Sequence, residues 1–207
     1  MFRNFLDWVH PPPLRALSAV EDATERSASR LTHKATVGYC RIKAAGNAKK
    51  LFEEEAFAPA IELCRWEAFA GLLADHLRVL EGRLRAAAGE RAEEMGDCLV
   101  AYYERVLTGY AHPAGGGVEA WRPHIATVKA QIARARLAPP IPAYELSVST
   151  GNRIYDSLPL HKNFRREDRE VITNLVRFGL VAYQEDLSKR LDAAPVVAQL
   201  LGNAARE

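Results

Sequence analysis

Apolar residues recur three and four positions apart along most of this chain, which is the spacing of helices that each bury one face. Leu17, Val20, Thr24, Ala28, Leu31, Ala35, Gly38, Ile42 and Ala45 form an unbroken seam of this kind. They predict one long helix from Pro13 or Leu14 to about Ala45, stopped by Gly46-Asn47. So many small residues in the seam allow a neighbouring backbone to come close. An acidic turn, Glu53-Glu54-Glu55, leads to Pro59, a good first helical residue. The next helix runs to about Ala88, where Gly89 stops it. Its stripe of Trp66, Phe69, Leu73, Leu77, Leu80 and Leu84 is widened by Ile61, Cys64, Ala68 and Leu72, so it is expected at the centre of the fold.

A helix from Glu90 carries Met95, Leu99, Tyr102, Val106 and Tyr110 on one face and ends before His112-Pro113. Gly115-Gly116-Gly117 follows as the clearest hinge in the chain. Val118, Trp121, Ile125, Val128 and Ile132 mark a further helix to about Leu137, with Pro123 tolerable in its first turn. Pro139, Pro140 and Pro142 enforce an extended linker. Residues 143–158 are ambiguous: Val148-Ser149-Thr150 favours a strand, but a lone strand has no partner, so the stretch reads as helix or irregular structure. The last strong helix spans about Arg165 to Leu191, with Val171, Leu175, Phe178, Ala182 and Leu187 facing broadly inward and Ile172, Gly179 and Tyr183 beside them. A short closing helix follows from Pro195 to Leu201.

Together these elements predict an all-α protein, a single helical bundle of five or six main helices with short terminal ones. Residues 14–207 form that bundle, and the prolines at 139–142 are the one place where a sub-boundary could fall. Residues 1–13 stand apart as a short amphipathic segment. In it Phe2, Phe5, Leu6 and Val9 share a face, and Pro11, Pro12 and Pro13 end it. A helix this short is unstable alone. It must dock on the bundle itself, on a partner, or peripherally on a membrane surface.

Composition narrows the function classes more than it identifies one. The 207 residues are 48% apolar and 26% charged, ordinary values for a folded chain, and the net charge of +2 gives no reason to expect nucleic acid as a partner. A basic stripe of Arg122, Lys129 and Arg136 reads as a solvated face. Cys40, Cys64 and Cys98 are odd in number and widely spaced, so they read as free thiols in a reducing compartment. No apolar run reaches membrane-spanning length, and the opening residues, with Asp7 among them, do not resemble a secretory signal. A cytoplasmic address is the expectation.

No chemical motif stands out. Glu-x-x-His, which di-iron bundles need, is absent, as are Gly-x-Ser-x-Gly, the phosphate-binding P-loop pattern and the dinucleotide fingerprint. No catalytic residue, metal ligand or cofactor is therefore expected. Two clusters remain as candidate sites. His161, Lys162, Arg165 and Arg166 stand at or before a helix N-terminus, where exposed amides and the positive dipole end favour an anion or an acidic partner; Glu167 and Asp168 could equally satisfy the same groups. Tyr39, Arg41 and His76 could line a polar pocket inside the bundle, His76 otherwise being a hydrogen-bonded core histidine. The reading that follows is a non-enzymatic interaction, assembly or regulatory factor acting with a protein partner or as a homo-oligomer. The alternative is a small-molecule- or metal-binding enzyme or carrier with a site within the bundle.

Overall fold

The first helix begins where a distant side chain completes it. In the computed structural model, which describes residues 12–204, helix α1 (Leu17–His33) has its first amide, that of Leu17, donated to Gln199 Oε1 at 2.9 Å, and Gln199 Nε2 donates to the Arg15 carbonyl. Gln199 lies on the last helix, α10 (Ala193–Ala204), so the two ends of the described chain are tied together. Leu14 strengthens the tie: its amide donates to the Arg190 carbonyl and its carbonyl accepts from the Asp192 amide, an isolated parallel bridge to Leu191.

Val20, Thr24, Ala28, Leu31 and Ala35 are buried as the seam predicts. Ile42, also assigned to the seam, is 79% exposed. The reason is a single π-helical turn at Lys34–Gly38, inserted between α1 and α2 (Tyr39–Ala44). A π turn takes up one extra residue, which rotates everything after it by about 100° relative to a straight α-helix. Tyr39 and Cys40 consequently turn inward in place of Gly38 and Ile42. A 3-10 turn at Ala45–Asn47, entered through Ala45 at φ 47°, leads into α3 (Ala48–Glu53).

Helix α4 (Phe57–Ala88) is the axis of the molecule, with Leu72, Leu73 and Leu77 inaccessible to solvent. Helix α1 packs along it, as do α5 (Ala92–Thr108), α6 (Arg122–Ala135), α7 (Ala143–Ser157), α9 (Arg169–Arg190) and α10. The proline linker between α6 and α7 lies against α4 at Gly82, where a Cβ would come within 2.9 Å of Pro140. The ambiguous stretch after the linker is helical. It runs antiparallel to α9, from the Ala143 amide donating to Gln184 Oε1 to Gly151, whose missing Cβ would sit 2.8 Å from Thr173 Cα. The small residues Ser147, Thr150 and Gly151 serve this close approach, so the β-branched side chains there do not build a strand. A short helix, α8 (Lys162–Arg165), joins the pair.

The inner face of α9 differs from the expected one. Ile172, Val176, Leu180, Tyr183 and Leu187 are buried, while Val171 is 53% and Phe178 70% exposed. Two apolar stripes lie side by side on this helix, and Gly179 selects between them. A Cβ at Gly179 would be 2.5 Å from Leu31 Cδ1, so α9 sets its glycine against α1 and turns Val171 and Phe178 outward. The architecture is an all-α bundle; among the described residues the Leu14–Leu191 bridge is the only strand-like pairing. No helix among them is long and apolar enough to cross a membrane.

A candidate metal centre at one end of the bundle

Three side chains from separate parts of the chain meet near the start of α4. Glu67 comes from the third turn of that helix, where it follows Trp66. His112 comes from the loop after α5, and His124 from the first turn of α6, next to Pro123. The loop between the histidines is shaped by backbone that only glycine adopts without strain: Gly115, Gly116 and Gly117 have φ of 81°, 83° and 61°. It then enters a 3-10 turn, Gly117–Trp121, which buries Trp121 completely. Trp121 donates from Nε1 to the Tyr110 carbonyl at 3.1 Å, pinning the loop's end to its start. Its ring lies edge-on to His112 at 4.4 Å and to His124 at 5.7 Å, and meets Trp66 at 6.0 Å. Trp66 is held in turn by an Nε1 bond to Glu62.

The carboxylate of Glu67 lies between the two imidazoles. His124 Nε2 is 3.2 Å from one oxygen and His112 Nε2 is 3.6 Å from the other. One ligand atom from each of the three residues lies within 4.8 Å of the other two. The His112 side chain is 7% exposed, that of His124 21% and that of Glu67 41%, so the cluster is walled by protein on the histidine side and open on the carboxylate side. The hydrogen bond from His124, aided by the charges of both imidazoles, holds the Glu67 carboxyl below its usual range against the opposing effect of burial.

Two imidazoles and one carboxylate are the donor set that binds divalent first-row metals while leaving coordination positions open. Metal–ligand bonds of about 2.0–2.2 Å separate neighbouring donors by roughly 3.0–3.4 Å. The contacts to Glu67, 3.2 and 3.6 Å, are near that range, and no two of the three donor atoms are more than 4.8 Å apart. One local contact works against ligation. The Ala114 amide donates to His112 Nδ1 at 3.2 Å, which places the proton of a neutral ring on Nε2, facing Glu67. A metal ion at Nε2 has to displace that proton, move the ring to its other tautomer and release the Ala114 bond, since ligating histidines donate from their second nitrogen.

The expected bundle pocket is not assembled, because its members take separate partners. Tyr39 donates its hydroxyl to Asp168 Oδ2 at 2.6 Å, and Lys43 pairs with the same carboxylate. Burial and this neighbouring carboxylate push the Tyr39 pKa well up. Arg41 is exposed and stacks over Phe52. His76 is inaccessible; its Nδ1 donates to the Leu72 carbonyl at 2.7 Å, its Nε2 accepts from Ser27 at 3.0 Å, and Tyr183 covers the ring. Both nitrogens are used, and burial lowers its pKa to about 4, so His76 is a neutral core residue.

The basic cluster also divides. Arg165 turns back to donate to the Leu160 and Tyr155 carbonyls and stacks on Tyr155, which makes it a clamp on its own loop. His161 accepts from the Asn163 amide and lines a groove of about 780 Å³ with Lys43 and Lys50. Lys162 and Arg166 are exposed away from these contacts. Phe2, Phe5, Leu6 and Val9 lie outside the described residues.

The sequence predicts no metal ligand, and Glu67, His112 and His124 are not among the candidates it offers. They stand far apart in the chain, and no fixed spacing joins them. The one legible signal was two histidines flanking a glycine loop and a tryptophan. Comparison of the chain with protein-family models, with curated proteins and with solved structures finds no match.

Proposed function

We propose that this protein binds a divalent transition-metal ion through Glu67, His112 and His124, acting in the cytoplasm as a metal-dependent enzyme or carrier. The observation that carries the reading is the convergence of a carboxylate and two imidazoles from α4, the glycine loop and α6, backed by two tryptophans. Three protein donors leave positions for water or substrate, the arrangement of reactive rather than purely structural sites. Zinc, iron(II), manganese or cobalt fits this nitrogen–oxygen set better than copper(I), which prefers sulfur. The test is titration of chelator-stripped protein with Co(II), read by visible absorption and calorimetry. Uptake of one equivalent, weakened at least tenfold in Glu67→Gln and His124→Ala, supports the reading. Absence of uptake, or uptake indifferent to those changes, ends it.

A second reading, an interaction or assembly factor working as a homodimer, is favoured by the outward apolar face of α9. Val171 and Phe178 are exposed there, seven residues apart, and the adjacent helix α7 exposes Tyr144 and Val148. Four large apolar side chains on two adjacent antiparallel helices match a surface that a second copy would cover. Sedimentation equilibrium of the wild type and of Phe178→Glu decides it: a dimer that the substitution dissociates supports the reading, and a monomeric wild type removes it.

A further inference from the structure

One helical turn beyond Glu67 the inner side of α4 carries Gly71 in place of a side chain. The space this leaves is a cavity of about 120 Å³, walled by Glu67 and Gly71 from α4 and by Thr150, Arg153 and Ser157 from α7. A Cβ at Gly71 would come within 3.3 Å of Arg153 Nη2 and 3.2 Å of Thr150 Cγ2, so the glycine keeps the guanidinium's side of the cavity open. Arg153 donates to the Thr150 hydroxyl at 3.2 Å, a neutral partner. Among the described residues no carboxylate lies within ion-pairing distance of it, whereas Arg85, Arg105, Arg169 and Arg190 all have one. Two carboxylates stand near Arg153 without pairing with it: Glu67 on the wall of the same cavity, whose oxygens face the imidazoles, and Asp75, which feels the Arg153 charge. Its planar fork of donors is matched to a further carboxylate in the cavity.

We propose that this cavity is the co-ligand subsite of the metal centre and takes a small monocarboxylate, with Arg153 as its counter-ion. The inference rests on the metal reading above, because Glu67 is a wall of the cavity and a member of the cluster at once. Gly71 follows Glu67 by about 6 Å along the helix axis, so an acid paired with Arg153 lies within reach of the ion's open positions. Size and charge define the ligand class. The space holds a molecule of a few heavy atoms. The single guanidinium balances one negative charge, and the Glu67 carboxylate alongside disfavours a dianion such as phosphate. Thr150 and Ser157 hydroxyls complete the polar wall.

The experiment uses the full chain loaded with Co(II), acetate as the probe, and the visible absorption of the metal as the readout, for the wild type and Arg153→Gln. Arg153 is exposed enough for the substitution to leave the fold intact, and circular dichroism verifies this. The expected result is a saturable spectral change on adding acetate to the wild type. In Arg153→Gln the acetate affinity falls at least tenfold while Co(II) affinity is unchanged. A wild type whose spectrum ignores acetate, or equal acetate affinities in the two proteins, overturns the subsite and leaves the metal reading standing. Failure of the wild type to take up Co(II) overturns both.

Discussion

Asp75→Asn should stabilise this protein at pH 8 and leave it nearly unchanged at pH 4. Asp75 lies on the inner side of α4, 4% exposed, and its Oδ2 has no hydrogen-bond partner. The closest cation, Arg78, is 4.0 Å away. Burial raises the pKa from 3.8 to about 6, despite the Thr150 hydroxyl and the charges of Arg78 and Arg153, which pull it down. Because the folded pKa exceeds the unfolded one, the stability Asp75 contributes is fully present below pH 3.8 and is lost as pH rises through 6. At about 1.36 kcal/mol per unit the loss is about 3 kcal/mol at pH 8. Asparagine keeps the shape and the acceptor for Thr150 but has no charge to bury, so it recovers most of that amount. Urea unfolding followed by circular dichroism, at several values between pH 4 and pH 8, gives the difference directly. It should be near zero at pH 4, grow through pH 6 and level off. If Asp75→Asn were instead less stable than the wild type at pH 8, this account would be wrong. Arg78, whose Nε is itself buried without a partner, would then depend on the carboxylate more than the carboxylate suffers from burial.

The neighbouring residue has the opposite sign: the His76 pKa falls from 6.5 to about 4, so its contribution is present above pH 6.5 and lost as pH drops through 4. Wild-type stability should therefore vary less between pH 4 and 6 than that of Asp75→Asn, in which the His76 slope is no longer offset; a steeper wild type contradicts this. Gly151→Ala should lower stability by about 1–3 kcal/mol in denaturant melts, because its Cβ meets the Thr173 backbone at 2.8 Å and the α7–α9 pair must part. Gly116→Ala places a side chain at φ 83° and should cost about 1–2 kcal/mol. It should also weaken Co(II) binding by displacing His112, and an unaffected Co(II) affinity would detach the loop from the site. Zinc in hundredfold excess over its dissociation constant should stabilise the wild type by about 2.7 kcal/mol and His124→Ala by much less, as read by the thermal midpoint.

The helices themselves were legible because each buries one face, and a buried face writes its period into the chain. Phe57–Ala88 was foreseen almost to its ends, since Gly89 stops it and leucines cover it on several sides. Which of two adjacent faces turns inward is another matter. The extra residue in the Lys34–Gly38 turn put Ile42 outside, and the contact of Gly179 with Leu31 put Phe178 outside. Both outcomes depend on packing against a second helix, which no local spacing encodes. The candidate site is the extreme case. Glu67, His112 and His124 each look ordinary among their neighbours, and only the tertiary fold, by laying the glycine loop and Trp121 across the start of α4, brings their donor atoms within 4.8 Å of one another. An all-helical chain, a central helix ending at Gly89 and a turn at the glycines could be read from residue order alone. The rotation of each helix and the convergence of these ligands came from packing, because periodicity records how deeply a residue is buried and not what it is buried against.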